Sequence, residues 1–154
     1  MAQLLAYSFL NIQSTLSGPG GMISLGYGAG NAKEGIHVEY LEAKDAMSVG
    51  ADGAIMHSLR AGNAARVTAR LLKTSPVNAA LSNMYNFQRT QASFWGINTL
   101  TVTDVQRGDV GAGSQMAFER HTGVTWAEDA NIMEWAFMGN WLQILGAGTP
   151  NVNV

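Results

Sequence analysis

KDAMSVGADGAIMHSLRAGNAARVTARLLKTSP, residues Lys44 to Pro76, reads as a hairpin, a third strand and the start of a capped helix. The runs Ala46 to Ala51 and Ala54 to Arg60 flank Asp52-Gly53, a dipeptide that tolerates the positive φ of a two-residue hairpin turn. Counting outward from such a turn, Ala51 faces Ala54, Val49 faces Met56 and Met47 faces Ser58. The opposite side then carries Ile55, His57 with Ser48, and Leu59 with Ala46. Both faces come out partly apolar. A hairpin with one solvated side alternates cleanly, so this pattern predicts something packed against each face, and another subunit is a natural source of it.

Next to the hairpin, Asn63 to Leu72 alternates without a break. Ala65, Val67, Ala69 and Leu71 fall on one side, and Arg66, Thr68 and Arg70 on the other, which predicts a half-buried strand with one polar face. A helix is expected over about 75–91. Ser75 suits the N-cap, and Pro76 suits the first helical position, where its missing N–H costs nothing. Val77, Ala80, Leu81, Met84, Phe87 and Gln88 recur at helical spacing and predict the packing stripe.

Farther out the chain is strand-like. Tyr7 to Leu16 alternates and ends at Ser17-Gly18-Pro19-Gly20-Gly21, Met22 to Leu25 makes a short return strand, and Gly26 to Gly35 reads as a loop. Ile36 to Glu42 places Ile36, Val38 and Tyr40 opposite His37, Glu39 and Leu41. Asn98 to Val105 alternates Leu100 and Val102 with three threonines, and Arg107-Gly108-Asp109 marks a turn. Ser114 to Thr122 is the next strand, with Val124 to Trp126 continuing the sheet. Ile132 to Met138 and Trp141 to Leu145 read as a closing hairpin around Gly139-Asn140. Strands at this spacing predict a mainly β domain, a two-sheet antiparallel sandwich or barrel carrying one helix. One domain over 1–154 is expected, with a mobile or partner-docked tail over about 146–154.

Charged residues make up only 13% of the 154, against roughly 25% in an average soluble protein, while glycine reaches 18 and methionine 8. A surface so poor in charge predicts coverage by partners, most simply copies of the same chain. The formal net charge is −2 and the nine basic residues form no stripe, which argues against a nucleic-acid grip through phosphates. Cysteine is absent, so disulfides and thiolate metal sites are excluded. MAQLLAYSFL lacks the positive n-region of a signal peptide, and no run approaches the roughly 20 apolar residues of a membrane span.

No catalytic, cofactor or metal site emerges from the residues. Gly26-Tyr27-Gly28-Ala29-Gly30 with Lys33 lacks the Gly-Lys-Ser/Thr sequence of a phosphate loop and reads as an ordinary glycine loop. His37, His57 and His121 are isolated, and Ser48 opposite His57 has no strained nucleophile turn around it. The paired acids Glu128-Asp129 and Glu39 with Glu42 are not aimed at one substrate and read as solvated charges. Trp126, Trp135, Phe137 and Trp141 fit a core or a subunit interface. A rival role is a β-sandwich module that uses the three tryptophans to hold a carbohydrate or peptide.

Five phrases carry a resemblance: SVGADGAIMHSLRAG at 48–62, RLLKTSPVNAALSNMY at 70–85, YSFLNIQSTLSGPGG at 7–21, NTLTVTDVQRGDV at 98–110 and ILGAGTP at 144–150. Together they resemble the tail tube proteins of contractile-tailed bacteriophages. The resemblance implies a non-enzymatic virion subunit without cofactor, made in the host cytoplasm and built into the tail. It implies hexameric rings stacked into a hollow tube, with neighbouring sheets joined into one barrel. It further implies a tail sheath protein outside, tape measure protein and transiting DNA inside, and baseplate and tail terminator proteins at the ends. On that basis Glu39, Glu42 and Asp52 are the lumen candidates. Val49, Asp52, Gly53, Met56, Gly28 and Gly30 are the inter-subunit candidates. A tube of a related contractile injection device without DNA cargo implies the same fold and assembly.

Overall fold

A computed structural model describes residues 7–146. In chain order the elements are β1 (Ile12–Gly18), β2 (Gly21–Ser24), β3 (Asn31–Tyr40), β4 (Asp45–Val49), β5 (Ile55–Leu59), β6 (Ala64–Leu72), α1 (Val77–Gln88), β7 (Asn98–Asp104), β8 (Asp109–Phe118) and β9 (Ile132–Ile144). Seven strands form one antiparallel sheet in the order β2-β1-β7-β8-β9-β6-β3, and β4 pairs with β5 alone. The domain is therefore mainly β with one α-helix, as the alternation predicts, and its two sheets are very unequal. The large sheet curls on itself: Val102 of β7 and Ile36 of β3, far apart in strand order, line the same cavities.

The core fills this curl. Ala65, Val67, Ala69 and Leu71 of β6 are all buried, as their spacing predicts, and they pack with Leu16, Leu100, Met116, Phe118, Trp135 and Phe137. α1 lies over this cluster and presents Asn78, Leu81, Met84 and Gln88 to it. Ala80 and Phe87, expected on that stripe, are exposed instead. Two polar clamps hold the helix in place. Asn78 accepts the Trp135 indole N–H at 3.1 Å and donates to the Leu72 carbonyl at 2.8 Å. At the other end Gln88 and Asn98 exchange amide hydrogen bonds of 2.7 and 2.9 Å, and Gln88 also donates to the Pro19 carbonyl. Buried amides satisfied this fully fix helix orientation more sharply than apolar packing alone.

Several boundaries differ from those read in the sequence. Regular helix runs over Val77–Gln88, with Pro76 already in the αR region, and Ser75 accepts the Val77 N–H at 3.2 Å as an N-cap does. β1 begins only at Ile12, because Phe9–Asn11 forms a single 3-10 turn that leaves Leu10 63% exposed. β3 starts at Asn31, inside the expected loop, and its pairing with β6 shifts between Asn31 and Ile36. β8 extends back to Asp109, while residues 124–126 are irregular and do not rejoin the sheet. The expected closing hairpin is instead the single 13-residue strand β9. Gly139 is needed there for close approach, not for a turn. A Cβ at that position would lie 2.7 Å from the Gln115 carbonyl oxygen and 2.8 Å from Met116 Cα. β8 carries one extra residue opposite this point, with Gln115 at φ 53, so the bulge presses into the space a side chain would occupy. Of the expected tail at 146–154, only Gly146 falls within the described residues.

Candidate assembly surface

β4 and β5 form an arm. β3 and β6 run directly into it: the Leu41 N–H bonds the Ala64 carbonyl at 3.0 Å, and the Arg60 N–H bonds the Lys44 carbonyl at 2.8 Å. The tip is a three-residue loop, Ala51-Asp52-Gly53, closed by the Gly50 N–H on the Ala54 carbonyl at 2.7 Å. The Gly53 N–H reaches the Gly50 carbonyl, Gly53 sits at φ 86, and Asp52 accepts the Ala54 N–H at 3.0 Å. This is a turn followed by a left-handed glycine, so the two-residue turn read in the sequence is corrected by one residue.

That single step regroups the side chains. The observed pairs are Val49 with Ile55, Met47 with His57 and Asp45 with Leu59 on one face, and Ser48 with Met56 and Ala46 with Ser58 on the other. Met47, Val49, Ile55 and Leu59 therefore share a face, leaving Met56 as the one large apolar residue behind them. Both faces are bare among the described residues: these four are 56, 63, 59 and 82% exposed, and Met56 behind them is 61% exposed. An isolated two-stranded hairpin is marginal in water, and this one also turns its greasy side outward. The Asp45 carboxylate, 2.8 Å from His57 Nδ1, sits on the same face.

The edges of the large sheet are β2 and β3, each with one side unpaired among the described residues. Beside them, Gly28 projects into open space at φ 98. Gly30 instead packs inward, since a Cβ there would lie 2.7 Å from that of Ser75. Of the inter-subunit candidates, Val49, Asp52, Gly53 and Met56 are gathered on the arm, Gly28 lies on the distant β2–β3 loop, and Gly30 is spent on local packing.

The outer side of the curled sheet divides into two chemistries. Over β1 and β7 it presents Gln13, Thr15, Ser17, Thr99, Thr101 and Thr103, with no ionisable group. Over β3, β6, β9 and the end of β8 it carries ion pairs. Arg66 engages Glu119 through Nε and Nη2 at 3.1 and 3.3 Å and Glu39 through Nη1 at 3.5 Å. Arg70 engages Glu134 at 3.2 Å, and Arg120 reaches Glu119 at 3.6 Å.

The three lumen candidates do not converge. Glu39 is on this charged face, Glu42 stands 4.0 Å from Arg60 at the base of the arm, and Asp52 is at its tip. Glu119 and Glu134 escape sequence reasoning. Arg66 and Arg70 are legible as the polar side of β6, but their carboxylates come from 53 and 64 residues away.

Ser48 faces Met56, so the Ser48 and His57 pairing does not exist. His121 instead bonds Ser82 at 2.9 Å and the Thr122 carbonyl at 2.9 Å, between the rings of Tyr85 and Trp135. This contact latches α1 to the segment after β8. Among the described residues no group of three or more His, Asp or Glu can hold a metal ion. The tryptophans do not form a platform: Trp135 and Trp141 are buried, while Trp126 is 84% exposed beneath the Lys73 ammonium. The carbohydrate-binding alternative loses its three-tryptophan surface.

The model of the bacteriophage PhiTE tail tube protein family matches residues 4–146. None of the curated proteins compared with the chain matches it. A mainly β domain with an unpartnered apolar arm and open sheet edges has the features expected of a self-assembling subunit, and with the family match over nearly its whole length the chain belongs to the PhiTE tail tube protein family, a structural component of a phage tail.

Proposed function

We propose that six copies close into a ring, that rings stack into the inner tube of a contractile tail, and that the tube conducts the phage genome. The arm carries this reading. Its four exposed apolar residues lie on a projection that extends β3 and β6 beyond the body, where a stacked copy can cover them. Val49, Asp52, Gly53 and Met56 lie in that axial contact, and Gly28 and Gly30 belong to the loop beside the β3 edge. Lateral closure joins open edges between copies and removes the unpaired strands.

A tape measure protein and then DNA occupy the channel, a sheath protein surrounds the tube, and baseplate and terminator proteins cap it. Glu39, Glu42 and Asp52 are assigned to the channel side. Six copies at a formal −2 give about −12 per ring, which disfavours capture of phosphates. Negative-stain electron microscopy of the purified chain at rising concentration tests the assembly. Rings or hollow tubes are expected, and a protein that stays monomeric at high concentration and is absent from virions refutes it.

A further inference from the structure

We infer that Glu39, Glu119 and Glu134 act as masks on the outer face of β3, β6, β9 and the end of β8, holding its arginines so that a passing polyanion finds no free cation. This deepens the tube reading and rests on it, because it makes this face the channel wall. The face is continuous with the arm through β3 and β6.

The geometry favours masking over scattered surface pairing. The Arg66 guanidinium is occupied on all three nitrogens, by a bidentate contact to Glu119 and by Glu39. Its neighbour along the strand, Arg70, is held by Glu134, directly across in register. Both arginine side chains are only about one third exposed, at 34 and 30%. Arg120 is 77% exposed and shares Glu119. Three carboxylates thus face three guanidiniums, a formal sum of zero, with His37 at 3.9 Å from Glu39 adding charge only when protonated. The hydroxyl face over β1 and β7 has no cation to mask. DNA binding through phosphates scales with the number of free cations, so a wall that cancels each one lets a duplex slide.

The test uses dilute, unassembled full-length subunits and a 30-base-pair duplex titrated between roughly 50 and 200 mM salt. E39Q/E119Q/E134Q is compared with wild type and with E34Q/E128Q/D129N, which removes the same three charges from exposed positions outside the ion pairs of Arg66, Arg70 and Arg120. The masked-face variant should bind with a log–log salt slope of about −2 to −3, losing roughly fifteen- to sixtyfold in affinity across that range, and wild type and control should not. Adding R66Q/R70Q should abolish most of the gain. Equal binding by variant and control overturns the inference, as does binding that survives R66Q/R70Q. Should the triple variant not fold, E134Q alone frees Arg70 and should give a smaller gain, and no gain from a folded E134Q counts against the mask. Microscopy of concentrated wild-type protein separates the two ideas: missing tubes sink the assembly, whereas tubes without a gain in DNA binding sink only the mask.

Discussion

Replacing Ile55 with Asp, alone and with Val49→Asp, should block tube growth while leaving the subunit folded. Burying one large aliphatic side chain contributes about 1.5–3 kcal/mol. Met47, Val49, Ile55 and Leu59 each retain more than half of their surface for a partner, so the arm's apolar face can contribute about 5 kcal/mol to one contact. That corresponds to more than three orders of magnitude in the concentration at which copies associate. Ile55→Asp removes about a quarter of this and adds an unpaired carboxylate that must be desolvated, so the assembly threshold should rise at least about tenfold and the double variant should not assemble. In the lone subunit both positions are bathed in water, so the melting temperature of dispersed protein should move by no more than about 2 °C. Sedimentation and negative-stain microscopy across a concentration series, with thermal unfolding of dilute samples, provide the readout. Tubes forming at the wild-type threshold in the double variant would show that the arm does not carry the axial contact.

Substituting Asp52-Gly53 with Val-Val should impair tubes more than folding, because valine resists the left-handed conformation at 53, yet the loop is exposed; normal tubes in the microscope refute its role. Gly139→Ala should cost about 1–3 kcal/mol in urea unfolding, since the new methyl meets the bulged backbone of β8, and an unchanged midpoint refutes the close-approach account. Asn78→Leu strands the buried Trp135 N–H and frees the Leu72 carbonyl, which should lower stability by roughly 2–3 kcal/mol and the melting temperature by about 5–10 °C in calorimetry. Trp126→Ala should cost less than about 1 kcal/mol in the same experiment, because only an exposed cation–π contact is lost.

The sequence is most readable where one face of a strand is buried. β6 buries Ala65, Val67, Ala69 and Leu71 as its alternation predicts, although Thr68 on the other side is buried as well, and β7 buries Leu100 while its threonines point outward, because the core decides which side is apolar. It is least readable where glycine has two uses. Gly139-Asn140 has the composition of a tight turn, but the crowding that makes glycine necessary comes from a bulge about 25 residues upstream. In the arm the same ambiguity moves the register by one, and Gly50 ahead of Asp52-Gly53 is the local cue to the longer loop. The charged face is half legible. Arg66, Arg70 and Glu39 follow from alternation, whereas Glu119 and Glu134 reach them only through the β8-β9-β6-β3 order, which no local pattern encodes.

β9 belongs to both halves of the curl, pairing with β6 from Ala64 to Leu72 on one side and with β8 on the other. Because one unbroken strand is sewn into both, neither half can slide past the other without parting two ladders together. A pull along the molecule therefore loads those ladders in shear across many bonds instead of peeling them singly. Built into a cylinder, such a domain should resist stretching as a unit, and yielding would begin at its arm or its joints before its interior.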